Sequence, residues 1–312
     1  MLRNKKVLVT GGAGFIGSHL VEQLVANGCQ VTVVDKLLRG NKIPSKAFKA
    51  IEFHQFDVSN VDQLSALCAD IDCIFHFAAI LGVDIVADSP VETMETEVNG
   101  MQSVAFAAIK NNVPKIVYAS TSGVYGHNAL EKSVTEDIMI DPRTSYAMAK
   151  RFNEIYLAAL REEKGVTATA IRFFNVYGQR QDNRMVVPRF FEQAMDNQPI
   201  TVFGSGRQTR DFTWIKDAVR ATLLLAEKAN GFEIFNVSNE TEVDIGTLAS
   251  KIKAVSGSTS EVSFINAPSK RYDYEVGRRF GSSDKLYKYT GYKPSTSLDD
   301  GLRAIYDQLT GN

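Results

Sequence analysis

The first 175 residues alternate short apolar runs with longer amphipathic ones. Residues 7–10, 30–34, 51–56, 73–77, 115–119 and 168–174 are rich in β-branched and aromatic side chains and have the length of strands. Between them, residues 15–27, 61–69, 91–110 and 145–164 carry helical spacing. Strands without a polar face need cover on both sides, so the pattern predicts an α/β domain with a doubly wound parallel sheet. After Asn175 the regularity fades. Helices are expected at 186–196, 216–229, 244–255 and 298–309, and residues 231–237 read as one more strand of the main sheet, about the seventh. Residues 1–178 with about 211–238 are expected to form the nucleotide-binding unit. About 179–210 with 239–312 are expected to form a smaller α+β lobe.

Composition narrows the function classes. The hydrophobic fraction of 44% and the charged fraction of 23% are those of a folded soluble chain and exclude a disordered one. A net charge of −1 removes the basic excess expected of a nucleic-acid binder. Cys29, Cys68 and Cys73 form an odd set without metal-ligand spacing, as expected of reduced thiols and no bound metal. No apolar run approaches the ~18–20 residues that cross a bilayer. The basic start is followed by an apolar stretch broken at Gly11, Gly12 and Gly14, which makes a poor signal peptide. A cytoplasmic protein without membrane or nucleic-acid partners is expected.

The strongest local signal is Val-Leu-Val-Thr-Gly-Gly-Ala-Gly-Phe-Ile-Gly-Ser-His-Leu, residues 7–20. It joins a strand to a helix, the context that a dinucleotide fingerprint requires. Gly11, Gly14 and Gly17 permit a tight turn and close backbone approach, so a pyrophosphate can sit at the helix N-terminus beside Phe15 and Ile16. The next strand ends in Asp35, 18 residues past Gly17 and close to the ~20 expected of an acid that holds a ribose 2′-hydroxyl. A carboxylate there repels a 2′-phosphate and favours NAD over NADP, although Arg39 is close by. A third group follows the fifth strand, where Thr121 and Ser122 place hydroxyls at its carboxyl end. Tyr146 and Lys150, four residues apart, share one face of the helix after it. Tyr289 and Lys293 repeat the spacing, but Gly291 and Pro294 bracket Lys293 and deny it a helix. Gly11, Asp35, Asp57, Ala78, Ala79, Thr121 and Asn175 all fall just past a strand, at the edge where open α/β sheets bind ligands.

In these residues the chain resembles the extended short-chain dehydrogenase/reductase family, in its nucleotide-sugar epimerase and dehydratase branch. The glycine turn, Asp57-Val58, His76-Phe77-Ala78-Ala79, Thr121 with Val124-Tyr125-Gly126, Tyr146/Lys150 and residues 172–178 match in order, as does the segment 203–212. The resemblance implies NAD as cofactor and a nucleotide sugar, most often a UDP-sugar, as substrate. It implies that Tyr146 is the acid/base on the sugar C4 hydroxyl, that Thr121 hydrogen-bonds that oxygen, and that Lys150 holds the nicotinamide ribose and lowers the tyrosine pKa. Asp57 and Val58 would meet the adenine, and Ala78, Ala79 and Phe173 would line the cofactor channel. Ser122, Val187 and Phe203 would touch the substrate, while Asn175, Arg210 and one of Arg271 or Arg278 would hold the diphosphate. Moving a tyrosine pKa from ~10 to ~7 requires ~4 kcal/mol. One positive charge at ~4 Å supplies about that much at an effective dielectric of ~20. Family members usually carry Asn three residues before the glycine that is Gly100 here. Glu97 occupies that position and is left outside the expected site.

Within that branch several reactions begin with hydride transfer from C4. A 4,6-dehydratase carries an Asp-Glu pair after the threonine, where this chain has Ser122 and Gly123. A uronate decarboxylase usually has Glu at the second of these positions, although the segments 185–190 and 199–202 resemble decarboxylases as much as epimerases. The expected activity is therefore a 4-epimerase acting on a UDP-hexose or UDP-uronate through a transient 4-keto sugar. A decarboxylase, a dehydratase or reductase, and a non-catalytic NAD-binding sensor are the alternatives. The helices at 91–110 and 145–164 also resemble those of the family's two-fold interface. Ala105, Ala107, Ala108, Ala158 and Ala159 are expected to allow a homodimer to form there.

Overall fold

A computed structural model describes residues 2–80, 88–129, 133–266 and 277–311. Seven parallel strands form the central sheet: β1 (Lys6–Thr10), β2 (Gln30–Val34), β3 (Glu52–His54), β4 (Cys73–His76), β5 (Lys115–Thr121), β6 (Thr167–Phe173) and β11 (Phe232–Val237). Their order is β11-β6-β5-β4-β1-β2-β3, so the direction of winding reverses between β1 and β4. The seventh strand is the segment at 231–237, which pairs with β6 over its whole length.

Apolar side chains on both faces make this sheet central. In β1, Val7 and Val9 enter one buried cluster and Leu8 enters another, as the two-residue period of a strand requires. On the first face lie helices α1 (Phe15–Ala26) and α7 (Ile215–Lys228), with Leu20, Leu24, Leu223 and Leu225 turned inward. The second face is covered by α3 (Val61–Ala66), α4 (Pro90–Lys110) and α5 (Ser145–Lys164), with Leu64, Met101, Val104 and Leu157 turned inward. The Thr144 side chain caps α5 by accepting from the Ala147 N–H at 3.0 Å, and Gly165 ends the helix in the left-handed region at φ +75°.

Smaller sheets lie beyond β6. Strands β8 (Ile200–Phe203) and β13 (Val262–Ile265) pair in parallel, and β9 (Thr209–Asp211) lies between β12 (Glu242–Asp244) and β14 (Arg278–Arg279). Packed beside them are α6 (Val186–Met195), α8 (Ile245–Ser256) and α10 (Leu298–Thr310). Among the described residues, no helix is long and apolar enough to cross a membrane.

Candidate active site

The glycine turn after β1 is held to dimensions that only glycine satisfies. Gly11 has φ +70°, and a Cβ on it would stand 2.4 Å from the backbone N of Ala78. A Cβ on Gly17 would stand 2.1 Å from the Gly11 carbonyl oxygen. Gly14 begins α1 with no side-chain cap, and the first turn holds no acid. The Phe15–Ile16 end of the helix therefore presents its positive pole without a competing carboxylate. That open pole and the side-chain-free cradle fit a dinucleotide pyrophosphate.

Asp35 closes one side of the turn. Its Oδ2 accepts from the Ala13 N–H at 3.0 Å and its Oδ1 from the Leu37 N–H at 2.8 Å. Partial burial pushes its carboxyl up from the ordinary value, against those two hydrogen bonds. Arg39 is drawn toward Asp182, 3.5 Å away, in an ion pair that gives its guanidinium a partner other than a ribose phosphate. Asp57 stands after β3 in an ion pair with Lys36 at 2.6 Å, and Val58 is buried beside it. Ala78 and Ala79 follow β4 and are part-buried. Phe173 ends β6 with its ring 6.1 Å from that of Phe77.

Thr121 is the last residue of β5, and its Oγ1 accepts from the Gly123 N–H at 3.0 Å. Gly123 is the point where strand end and helix meet. A Cβ there would lie 3.3 Å from Thr121 Oγ1 and 3.6 Å from the Cβ of Ala147, the neighbour of Tyr146. One turn later Lys150 is 1% exposed, its ammonium 4.8 Å from the Tyr118 ring and 5.3 Å from the Tyr146 ring.

Two buried acids complete this region, and neither was expected from the sequence. Glu154, four residues after Lys150, is fully buried and takes a two-pronged hydrogen bond from Arg172, with Nε–Oε1 and Nη2–Oε2 both 2.8 Å. Ser120 donates to the same carboxylate at 2.6 Å. Strands β5 and β6 are thereby pinned to α5, which fixes Thr121 relative to Tyr146. The second acid is Glu97, whose carboxylate lies 2.9 Å from the Lys150 ammonium with both groups out of water. The expectation that Glu97 stands outside the site is therefore corrected: α4 packs along α5, and residue 97 lies on its buried face.

Burial, and then the Glu97 carboxylate, push the Tyr146 phenol well above its ordinary value.

The substrate residues divide. Asn175 follows β6, part-buried, with its carbonyl accepting from the Thr213 N–H at 3.3 Å. Phe203 ends β8 under the guanidinium of Arg189, 4.8 Å from the ring centroid. Ser122 and Val187 are 2% and 1% exposed. Val187 enters the apolar core. Arg271 lies outside the described residues.

Arg278 is occupied elsewhere. Its Nε and Nη2 meet the two carboxylate oxygens of Glu242 at 2.7 and 2.8 Å. Successive residues of a strand point to opposite faces, and β14 sets Arg279, not Arg278, level with Arg210 on β9. Arg210 and Arg279 thus share a face. Asp211, next to Arg210 in the chain, is turned inward, accepting from the Asn239 and Glu240 N–H groups at 2.9 and 3.1 Å.

Residues 7–238 match the family model of the NAD dependent epimerase/dehydratase family. The chain belongs to this family. Its cofactor is NAD, which the cradle of Gly11, Gly17 and Asp35 fits. Among similar proteins is the UDP-N-acetyl-alpha-D-glucosaminuronate decarboxylase of Bacillus cytotoxicus, 35% identical and covered over 96% of each chain. The UDP-glucose 4-epimerase of Thermotoga maritima, solved with UDP-glucose, superposes with a TM-score of 0.91 at 30% identity over 98% of this chain and 100% of that one. The UDP-glucuronic acid 4-epimerase of Bacillus cereus, solved with UDP-glucuronic acid and NAD, gives a TM-score of 0.87 at 30% identity over 98% and 99%.

Proposed function

We propose that this protein is an NAD-dependent 4-epimerase of a UDP-hexose or UDP-uronate, acting through a transient 4-keto sugar. The observation that carries it is the junction at Gly123. Thr121 and the Tyr146–Lys150 helix meet there, and the two positions after the threonine hold a buried serine and a glycine where dehydratases and decarboxylases place acids. With one acid/base and no carboxylate at positions 122 and 123, returning the hydride to C4 is the simplest outcome.

Held by the turn of Gly11, Gly14 and Gly17 and by Asp35, NAD would supply the acceptor and donor of the C4 hydride. Tyr146 takes the proton of the C4 hydroxyl as the carbonyl forms and returns it to the same oxygen when the alcohol re-forms on the other face. Thr121 holds that oxygen in line with the phenol. Lys150 orients the nicotinamide ribose. Ala78 and Ala79 line the channel, while Asp57 and Val58 border the adenine. In the smaller lobe, Arg210 and Arg279 form the diphosphate clamp, because a guanidinium fork binds two oxygens at once and these two share a face. Asn175 and Phe203 complete the substrate side. The two units divide the work, cofactor on the seven-stranded sheet and nucleotide sugar on the lobe.

A second copy of the chain covers the outer faces of α4 and α5. Of the alanines expected to make that contact, Ala105, Ala107 and Ala108 are fully buried within the chain and do not face it, whereas Ala159 is exposed and Ala158 part-buried. Support comes instead from Phe106, Phe152 and Ile155, which are 50%, 45% and 54% exposed on the same two helices. Exposed apolar side chains on two packed helices suit an isologous contact.

A uronate decarboxylase is the competing reading, favoured by the 35% identity to the Bacillus cytotoxicus enzyme. Tyr146→Phe tests the shared first step. The variant is expected to keep its NAD and to lose turnover by ~100-fold or more, and near-normal turnover would remove Tyr146 from the chemistry.

A further inference from the structure

Lys150 sits in a buried cluster assembled from four elements. Tyr118 of β5 lies under its ammonium, and His76 of β4 stacks on Tyr118 with ring centroids 5.6 Å apart. His76 is engaged on its other side by Thr10, whose Oγ1 is 2.7 Å from Nδ1. Tyr146 is on the lysine's own helix, one turn earlier. Glu97 of α4 is the acid of the cluster, at 2.9 Å. Its other oxygen accepts from the Ile80 N–H at 3.2 Å. Its backbone carbonyl accepts from Asn153 Nδ2 at 3.0 Å, and the same Nδ2 donates to the Tyr118 hydroxyl at 2.9 Å. Backbone and side chain of Glu97 are both anchored, and the carboxylate is built in place.

We infer that Glu97 is a positioning residue, an internal counter-ion that fixes Lys150 beside Tyr118 and removes the positive charge that Tyr146 would otherwise face. The inference rests on the acid–base reading of Tyr146. An amide at residue 97, the usual side chain of the family, would leave the lysine charge uncompensated. A carboxylate at 2.9 Å in a site closed to water cancels most of it. The phenol then holds its proton to a higher pH, and the pH range in which it can serve as a base moves alkaline. The groups that set this range are Lys150, Glu97, Tyr118 and His76. Tyr118 and His76 are neutral at ordinary pH, burial forcing each to remain so.

The test is a tyrosinate titration by ultraviolet difference absorbance on the purified protein, with Tyr146→Phe subtracted to isolate one phenol among 11 tyrosines. Glu97→Gln is expected to lower the Tyr146 midpoint by ~1–2 pH units, the size of one nearby charge. Glu97→Asp is expected to restore it most of the way. The acidic limb of kcat should move by the same amount, which a merely structural role would not produce. An unchanged midpoint in a Glu97→Gln protein that still holds NAD and melts cooperatively would overturn the inference. So would a parent phenol already ionised at about pH 7, a result that decides the matter even where the glutamine variant does not fold. Retained turnover in Tyr146→Phe would instead contradict the acid–base reading, while the titration would still report on Glu97.

Discussion

Glu154 and Arg172 face each other in the interior through two hydrogen bonds of 2.8 Å, and this pair fixes the distance between the helix that carries Tyr146 and the strand end that carries Thr121. Removing Arg172 leaves the buried Glu154 carboxylate with only the part-exposed Arg151, 3.1 Å away, as its cation. Arg172→Met is expected to destabilise the fold by ~3–5 kcal/mol, read from the midpoint of urea unfolding. A loss below about 1 kcal/mol would mean that the pair is hydrated or that the helix is held by apolar contacts alone.

The glycine cradle makes a prediction about cofactor content. A methyl group at residue 17 would overlap the Gly11 carbonyl, 2.1 Å away, and would push the turn out of its shape. Gly17→Ala should emerge from purification with its NAD content reduced at least ~10-fold, measured after acid extraction, because the pyrophosphate loses its close approach to the helix N-terminus. Full occupancy in that variant would place the pyrophosphate elsewhere.

The two neighbouring arginines of β14 should behave differently. Arg279→Leu removes a fork that shares a face with Arg210 and should raise KM for the nucleotide sugar by ~10–100-fold, the worth of a charged hydrogen-bonding pair. Arg278→Leu breaks a part-exposed pair with Glu242 and should cost stability by at most about 1 kcal/mol, leaving KM nearly unchanged. Equal effects on KM from both variants would contradict the assignment of opposite faces.

Acid should unfold the protein through its histidines. Burial lowers His19 to about 4 and His76 to about 3, so both are neutral in the folded protein while the unfolded chain takes up protons near 6.5. Groups depressed in the folded state contribute stability that is present above their unfolded value and is lost as pH falls toward the folded one. Stability should therefore decline from about pH 6.5 down to about pH 4, by up to about 3 kcal/mol for His19 alone. His19→Gln should flatten that slope in melts recorded at intervals across the range, and an unaltered slope would assign the acid sensitivity to other groups.

Much of this architecture was legible in the chain. Wherever a segment had one dominant demand, the pattern located it. Residues 145–164 needed one buried face and carried a cap at each end, and they form the expected helix. The segment at 231–237 was apolar enough for a covered strand and joined the central sheet. The short strands of the lobe escaped because two or three residues, such as Arg278 and Arg279, carry no periodicity of their own and gain their strand geometry from β9. The same brevity concealed which arginine of that pair faces Arg210. Glu97 and Glu154 were missed for another reason. A charged residue on a helix reads as a solvent-facing one, and only the packing of α4 on α5, and of α5 on β6, shows that each acid meets a buried cation.

The most direct test is NMR of the purified protein with UDP-glucose, UDP-GlcNAc and UDP-glucuronate, each with no cofactor added. A 4-epimerase regenerates its NAD in every cycle, so one of the three should convert to its galacto-configured partner with no net oxidation. Release of carbon dioxide with a UDP-pentose product would contradict epimerisation and establish the decarboxylase in its place.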